Sequence, residues 1–301
     1  MAWAVRAQRR QVKAARTGVL LILPTILLLC ALVLFPILYN IWLSFHAKHA
    51  FLPLQTWIGL TNYLSMLGDE QFWISFQLSL VFTASSTALQ IVIGVAVALL
   101  LQQRFFGRLL ARGIVLFPYM LPTIVSIVLW KWVLNDQYGI VNYLLQAWHL
   151  IQQPIVWISP GTMMETLIMV SVWTYFPFVV INVLARLQVI PLELYDAAKV
   201  DGASALGRFL YVTLPQLKEV LFVVILLRGI WMFTKFDVVW LWAGDFGGLG
   251  ESVRTLPIYT YMKTFGQYQV GLGAALANLM FMMLMVVVTV YFRVFRRDEE
   301  A

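Results

Sequence analysis

The chain has 301 residues, 61% of them hydrophobic and 12% charged, with a formal net charge of +7 at pH 7. Soluble domains are about 45–50% apolar and about 25% charged, so an ordinary water-soluble domain is excluded and lipid is the expected solvent. The one cysteine, Cys30, excludes an internal disulfide and any cysteine-based metal spacing.

A bilayer core about 30 Å thick needs roughly 20 apolar residues per helix, and six blocks reach that length. A basic tail, residues 1–17, comes first, with Arg6, Arg9, Arg10, Lys13 and Arg16. The first apolar block runs from Gly18 to about Phe45 without a charge. It is too long for a signal-peptide core and no small-residue cleavage site follows, so it reads as a retained span. An outer loop extends to about residue 70. The second block lies within Phe72 to Leu101, and the third runs from Gly113 to about Leu134 with Lys131 near its end. Ile140 to Ile151 has apolar residues at helical spacing and is too short to span; it predicts an amphipathic helix on the outer face. The fourth block spans Thr166 to Ala185. The fifth spans about Leu214 to Thr234, interrupted by Arg228, and the sixth lies within Thr264 to Phe292, ahead of a tail at 294–301. Pro24, Pro36, Pro118, Pro122 and Pro177 fall in or near spans, which favours a packed bundle whose neighbours satisfy the freed backbone groups. The predicted fold is an all-α membrane protein with six transmembrane helices.

Lysine and arginine set the orientation. Fifteen lie in the N-terminal tail, the loop with Arg104, Arg108 and Arg112, the loop with Arg186, Lys199, Arg208 and Lys218, and the tail with Arg293, Arg296 and Arg297. The opposite loops hold four, Lys48, Lys235, Arg254 and Lys263. The positive-inside rule then predicts cytoplasmic termini and a cytoplasmic loop between spans four and five. Trp57, Tyr63, Trp132, Tyr138, Trp148 and Trp157 sit near outer span ends, where aromatic rings favour the headgroup zone.

Catalytic signatures are missing from the sequence. It holds no phosphate-cradling GxxxxGK[ST], no HExxH, no CxxC and no GxSxG. His46, His49 and His149 fall in outer loops without metal-ligand spacing and are expected at the surface. The expected protein is a non-catalytic one that takes its energy from a partner.

The loop between spans four and five, Pro191 to Pro215, is the most informative stretch. Pro191 suits a first helical turn, Glu193 favours the positive end of the helix dipole, and Leu194, Ala197, Ala198 and Val200 make a small apolar surface. Gly202 lets the chain turn, a second short helix covers about Ser204 to Val212, and Pro215 opens the fifth span. The shape is a docking knob.

Its residues resemble the EAA motif of binding-protein-dependent importer permeases: EAA, three residues, G, nine residues, I, one residue, LP. Here the matching positions are Asp196, Ala197, Ala198, Gly202, Val212, Leu214 and Pro215. Asp replaces Glu and Val replaces Ile, and the shorter Asp weakens the case for an ion pair to a partner at that position. The resemblance covers about residues 70 to 293 and implies an ABC importer permease of type I, with a permease core at 71–293 and a coupling helix docking on an ATPase. It further implies a second homologous permease subunit, giving a heterodimer, two cytosolic ATPase subunits that bind ATP and Mg, and an extracytoplasmic solute-binding protein. No cofactor in this chain and no nucleic acid partner are expected. The stretch Phe236-Asp237, Leu241, Gly244, Gly247-Gly248, Thr255-Leu256, Tyr259, Phe265, Gly271 and Ala274-Ala275 resembles the carbohydrate and glycerol-phosphate branch, implying a sugar.

Sugars call for rings to stack on and neutral polar groups to bond with, and Trp173, Tyr175, Asn182, Trp231 and Asn278 are the candidate pathway residues. Arg228 joins them because a charge inside a span is expected to be functional. It lies about 20 Å up the helix from Pro215, where it is expected to snorkel outward or pair with Asp237. A cavity-facing Arg228 favours an anionic sugar derivative or glycerol-phosphate. The alternatives are a secondary transporter, which gives the Asp-Ala-Ala loop no job, an intramembrane enzyme, which needs paired ionisable residues at one depth, and a non-sugar importer of the same family.

Overall fold

The computed structural model describes residues 19–244 and 249–300. The N-terminal tail with its five basic residues, and Gly247 and Gly248, lie outside the described residues. The contacts divide the chain into two compact units, Met1–Gly68 with Thr260–Met282, and Asp69–Tyr259 with Met283–Ala301.

The first unit opens with α1, Val19–Leu43, strongly apolar and without a charge. A π-turn at Cys30–Leu34 interrupts it. That turn ends two residues before Pro36, whose ring cannot donate and clashes with the carbonyl four residues back. A hairpin follows, β1 (His46–Lys48) antiparallel to β2 (Gln55–Trp57), with His46 opposite Trp57. Next comes α2 (Thr61–Leu67). Buried Asn62 ties helix to hairpin, donating to the carbonyls of Ser44 (2.8 Å) and His46 (3.1 Å). His46 is not the surface residue expected. It is 7% exposed, its Nδ1 lies 2.9 Å from the Trp42 carbonyl, and its ring packs on Trp42 and Trp57. The hairpin folds the loop back onto the helix end, which the linear sequence does not reveal.

The second unit is built on three long helices: α3 (Glu70–Gln102), α7 (Met163–Leu187) and α10 (Leu214–Phe233). Asp69 caps α3 by accepting from the backbone N–H of Gln71 at 2.9 Å. Ala98, Leu101, Val179, Val183, Leu187, Leu217 and Val224 form their shared core. At Gly94 the backbones of α3 and α7 come so close that a Cβ there would lie 2.5 Å from Cβ of Val179. Small residues serve this purpose in membranes, where packing rather than water exclusion drives helix association.

The third span is not one straight helix. It consists of α4 (Arg108–Met120) and α5 (Thr123–Val133), bent by 102°. Leu121, at ψ 139°, is extended, as the residue before a proline must tend to be, and Pro122 then starts α5. With this bent pair counted as one, the described residues hold six segments long and apolar enough to cross a bilayer. The short helix α6 (Ile140–Ala147) ends earlier than the expected Ile140–Ile151. Its buried Asn142 donates to the Ile155 carbonyl at 2.9 Å and accepts from Trp157 Nε1 at 3.1 Å.

Candidate translocation site and coupling loop

The loop between α7 and α10 forms as its residue types dictate. Helix α8 (Leu192–Val200) ends in a Schellman closure: the N–H of Ala203 reaches the Ala198 carbonyl (2.9 Å) and that of Gly202 reaches Lys199 (3.0 Å). The closure needs a left-handed residue, and Gly202 supplies it at φ +77°. Ser204 caps the next helix, α9 (Ala205–Arg208), by accepting from the Gly207 N–H at 3.1 Å. A π-turn, Phe209–Thr213, leads into α10, with Pro215 in its first turn. No residue of α8 is buried. Leu192, Asp196, Ala197, Val200, Leu206 and Tyr211 are exposed, while Ala198 is half-buried and Leu214 and Pro215 are exposed at the start of α10. Asp196 holds Lys199 at 2.8 Å, an exposed pair that contributes little.

The end of α10 shapes a cavity of about 380 Å³, lined by Trp231, Thr234, Lys235, Phe236 and Asp237. Two aromatic faces, a hydroxyl and an ion pair line one space. Lys235 Nζ sits 3.1 Å from Asp237 Oδ1 and 4.7 Å above the Tyr175 ring. Burial disfavours the lysine charge, but Tyr175 and Asp237 outweigh it and raise the pKa, so Lys235 stays an ammonium. Phe236 stacks on Trp240 of the short helix α11 (Asp237–Ala243).

Arg228 lies beneath the Trp231 wall. It is 2% exposed, and its Nε donates to Gln90 Oε1 at 2.7 Å. Its guanidinium carbon lies 4.9 Å from the centroid of Tyr175, 5.6 Å from Trp231 and 5.8 Å from Phe178. Cation–π contacts reach about 2 kcal/mol when desolvated. Arg228 therefore neither snorkels outward nor pairs with Asp237, which is taken by Lys235. The reason is geometric: three aromatic faces and a buried amide surround it within the bundle, so the guanidinium is held where it starts.

The other sequence candidates divide. Tyr175 and Trp231 join the Arg228 cluster. Trp173 packs edge-on against Trp130 at 5.3 Å. Asn182 donates to the Phe178 carbonyl of its own helix at 2.7 Å. Asn278 belongs to the first unit, where it accepts from Asn40 Nδ2 at 2.9 Å and donates to Tyr63 Oη at 3.4 Å. Sequence reasoning missed Gln90, Phe178, Thr234, Lys235 and Phe236. Gln90 carried a weak signal: with Gln77 it is one of two amides inside a charge-free block.

A bundle of long apolar helices with an exposed short helix, Leu192–Val200, ahead of the long helix Ala205–Phe233 fits a membrane permease. The family model for the binding-protein-dependent transport system inner membrane component matches residues 90–298, and this chain belongs to that family of ABC importer permeases. It is 36% identical over 290 residues to the trehalose/maltose transport system permease protein MalF of Thermococcus litoralis, covering 95% of this chain and 96% of that one. It is 38% identical over 278 residues to the inner membrane ABC transporter permease protein YcjO of Escherichia coli, covering 90% and 91%. The fold matches a bacterial ABC transporter involved in import of the acidic polysaccharide alginate, with a TM-score of 0.84 at 21% identity over 97% of this chain and 99% of that one. The chain is a multi-pass inner membrane permease of type I fold.

Proposed function

We propose that this permease passes a neutral sugar of disaccharide size, delivered by an extracytoplasmic binding protein. The observation that carries the reading is the cavity in which Trp231 and Phe236 offer apolar faces beside Thr234 and the Lys235–Asp237 pair. Sugar rings present C–H faces to aromatic rings and hydroxyls to polar tips, and a few placed polar groups in a mostly apolar cavity suit such a ligand. The relative from Thermococcus litoralis is a trehalose/maltose permease, which supports the same class.

The knob formed by α8 and α9 docks on one of two cytosolic ATPase subunits, which bind the ATP and Mg that this chain has no residues to hold. A second homologous permease completes a heterodimer, and both termini are cytoplasmic. Alternating access requires a free-energy difference between inward- and outward-facing states, and closure of the ATPase pair acting through α8 supplies it. This chain itself catalyses no reaction.

The test is uptake of labelled trehalose and maltose by the reconstituted complex with its binding protein. Trp231→Ala is expected to raise the half-saturating concentration about tenfold, the upper scale of one aromatic contact. Unchanged uptake in that variant would refute the site. An anionic sugar is the second reading, favoured by the ammonium of Lys235 at the cavity wall. Uptake of a sugar acid in preference to trehalose selects it.

A further inference from the structure

The cavity wall rests on a charge that does not itself line it. Trp231 borders the cavity, whereas Arg228 is nearly inaccessible and is not among the lining residues. A guanidinium so placed cannot contact a solute without displacing the aromatic side chains around it. We propose that Arg228 is a positioning residue, which sets the ring plane of Trp231 for solute stacking and is itself oriented by Gln90. The proposal rests on the sugar-site reading above.

Three observations carry it. First, the guanidinium carbon is within 6 Å of three ring centroids, Tyr175, Trp231 and Phe178, and Phe178 meets Trp231 edge-on at 5.1 Å. One cation thus touches both rings of an aromatic pair, one of which forms the wall. Trp231 follows Arg228 by three positions on α10, so the two share a helix face.

Second, the fork is fixed from another helix. Gln90 of α3 is fully buried, accepts from Arg228 Nε through Oε1, and donates through Nε2 to Met232 Sδ at 3.5 Å. Arg228 Nη2 reaches the same sulfur at 3.7 Å. These contacts make a closed triangle of guanidinium, amide and thioether. A guanidinium with its plane set in this way presents a defined face to the rings, which a flexible ammonium on a lysine stem does not.

Third, among the described residues its partners are a neutral amide, a thioether and π-faces. A carboxylate would draw the guanidinium into a bidentate fork; the ring quadrupoles draw it over their faces instead. The arrangement spends the charge on the rings.

The experiment uses the assembled importer labelled with 5-fluorotryptophan, the Trp231 resonance being assigned by its loss in Trp231→Phe. In Arg228→Met that resonance is expected to shift or split while the other tryptophan lines hold. The half-saturating concentration for trehalose is expected to rise about tenfold, with the maximal solute-stimulated ATPase rate close to that of the parent. Arg228→Lys, which keeps charge but not the planar fork, is expected to restore the affinity only in part. An unmoved Trp231 line in Arg228→Met overturns the proposal. So does a fall in maximal rate at unchanged affinity, which marks a purely structural or conformational role. Should Arg228→Met fail to assemble, Gln90→Met carries the same test with a smaller shift in the same direction, and an unmoved line there overturns it equally. If the parent complex transports neither trehalose nor maltose, the sugar reading fails, while the fluorine signal still decides whether Arg228 positions Trp231.

Discussion

The loop between α7 and α10 and the Arg228 cluster sit towards opposite ends of one helix, α10, and obey opposite rules. The loop leaves no residue of α8 fully buried and holds its form mainly by local devices: a left-handed glycine, a serine cap and a proline. The cluster is held by residues distant in sequence, Gln90, Tyr175 and Phe178, converging on one buried guanidinium. A surface proposed to be gripped by another chain would depend on backbone shape and tolerate side-chain change. A buried charge depends on every neighbour and tolerates little.

That contrast can be pressed with substitutions of decreasing expected effect. Gly94→Val strikes the buried side, at the α3–α7 crossing beneath the cluster. Its Cβ would fall 2.5 Å from Val179, so overpacking is expected to cost about 1–3 kcal/mol or more. Little assembled complex should survive detergent extraction and size-exclusion chromatography; a normal yield with a parental melting temperature would break the claim that buried contacts are the unforgiving ones.

Gly202→Val strikes the loop. No neighbour crowds the site, so the penalty is conformational: φ +77° is disfavoured for a β-branched residue, by about 1–2 kcal/mol. The variant should insert and assemble yet lose transport while basal ATP hydrolysis continues. Gly202→Asn, which tolerates the left-handed region, should recover much of the coupling. Parental solute-stimulated ATPase activity in Gly202→Val would show that the turn does not carry the motion.

Asp196→Ala is the mildest. It removes an exposed pair with Lys199 and leaves the helix and its closure in place. Transport is expected to fall by about twofold at most. A loss as deep as that of Gly202→Val would mean that Asp196 contacts the ATPase directly and that side-chain chemistry, not only backbone shape, governs docking.

The two regions also differ in how far they can be read from the chain alone. Asp196, Ala197, Gly202 and Pro215 are spaced by local geometry, so a linear pattern finds them. Trp231 and Tyr175 were legible as aromatic residues in spans, but nothing in their spacing says that they share Arg228. Gln90, 138 positions from Arg228, could be noticed with Gln77 as an amide in a charge-free block but not assigned to a partner. His46 reads as a loop residue and is buried because a hairpin returns over it. The bend between α4 and α5 was foreshadowed by Pro122, yet its 102° angle depends on how the two halves pack.

Sequence by itself determined the class of solvent, the number of apolar segments, the clustering of basic residues in alternate loops and the helix-then-glycine turn at Leu192–Gly202, but not that the segment expected as a second short helix, Ser204–Val212, runs through a π-turn into the fifth span. Each of these follows from residue type and near-neighbour spacing: transfer cost into lipid, helix capping and the φ preference of glycine. Only the tertiary structure decided that Arg228 faces inward onto rings and an amide, and that Trp231, Phe236, Lys235 and Asp237 line one cavity. Those outcomes depend on which helices cross and at what depth, and helix crossing is settled by long-range packing such as that of Gly94 on Val179.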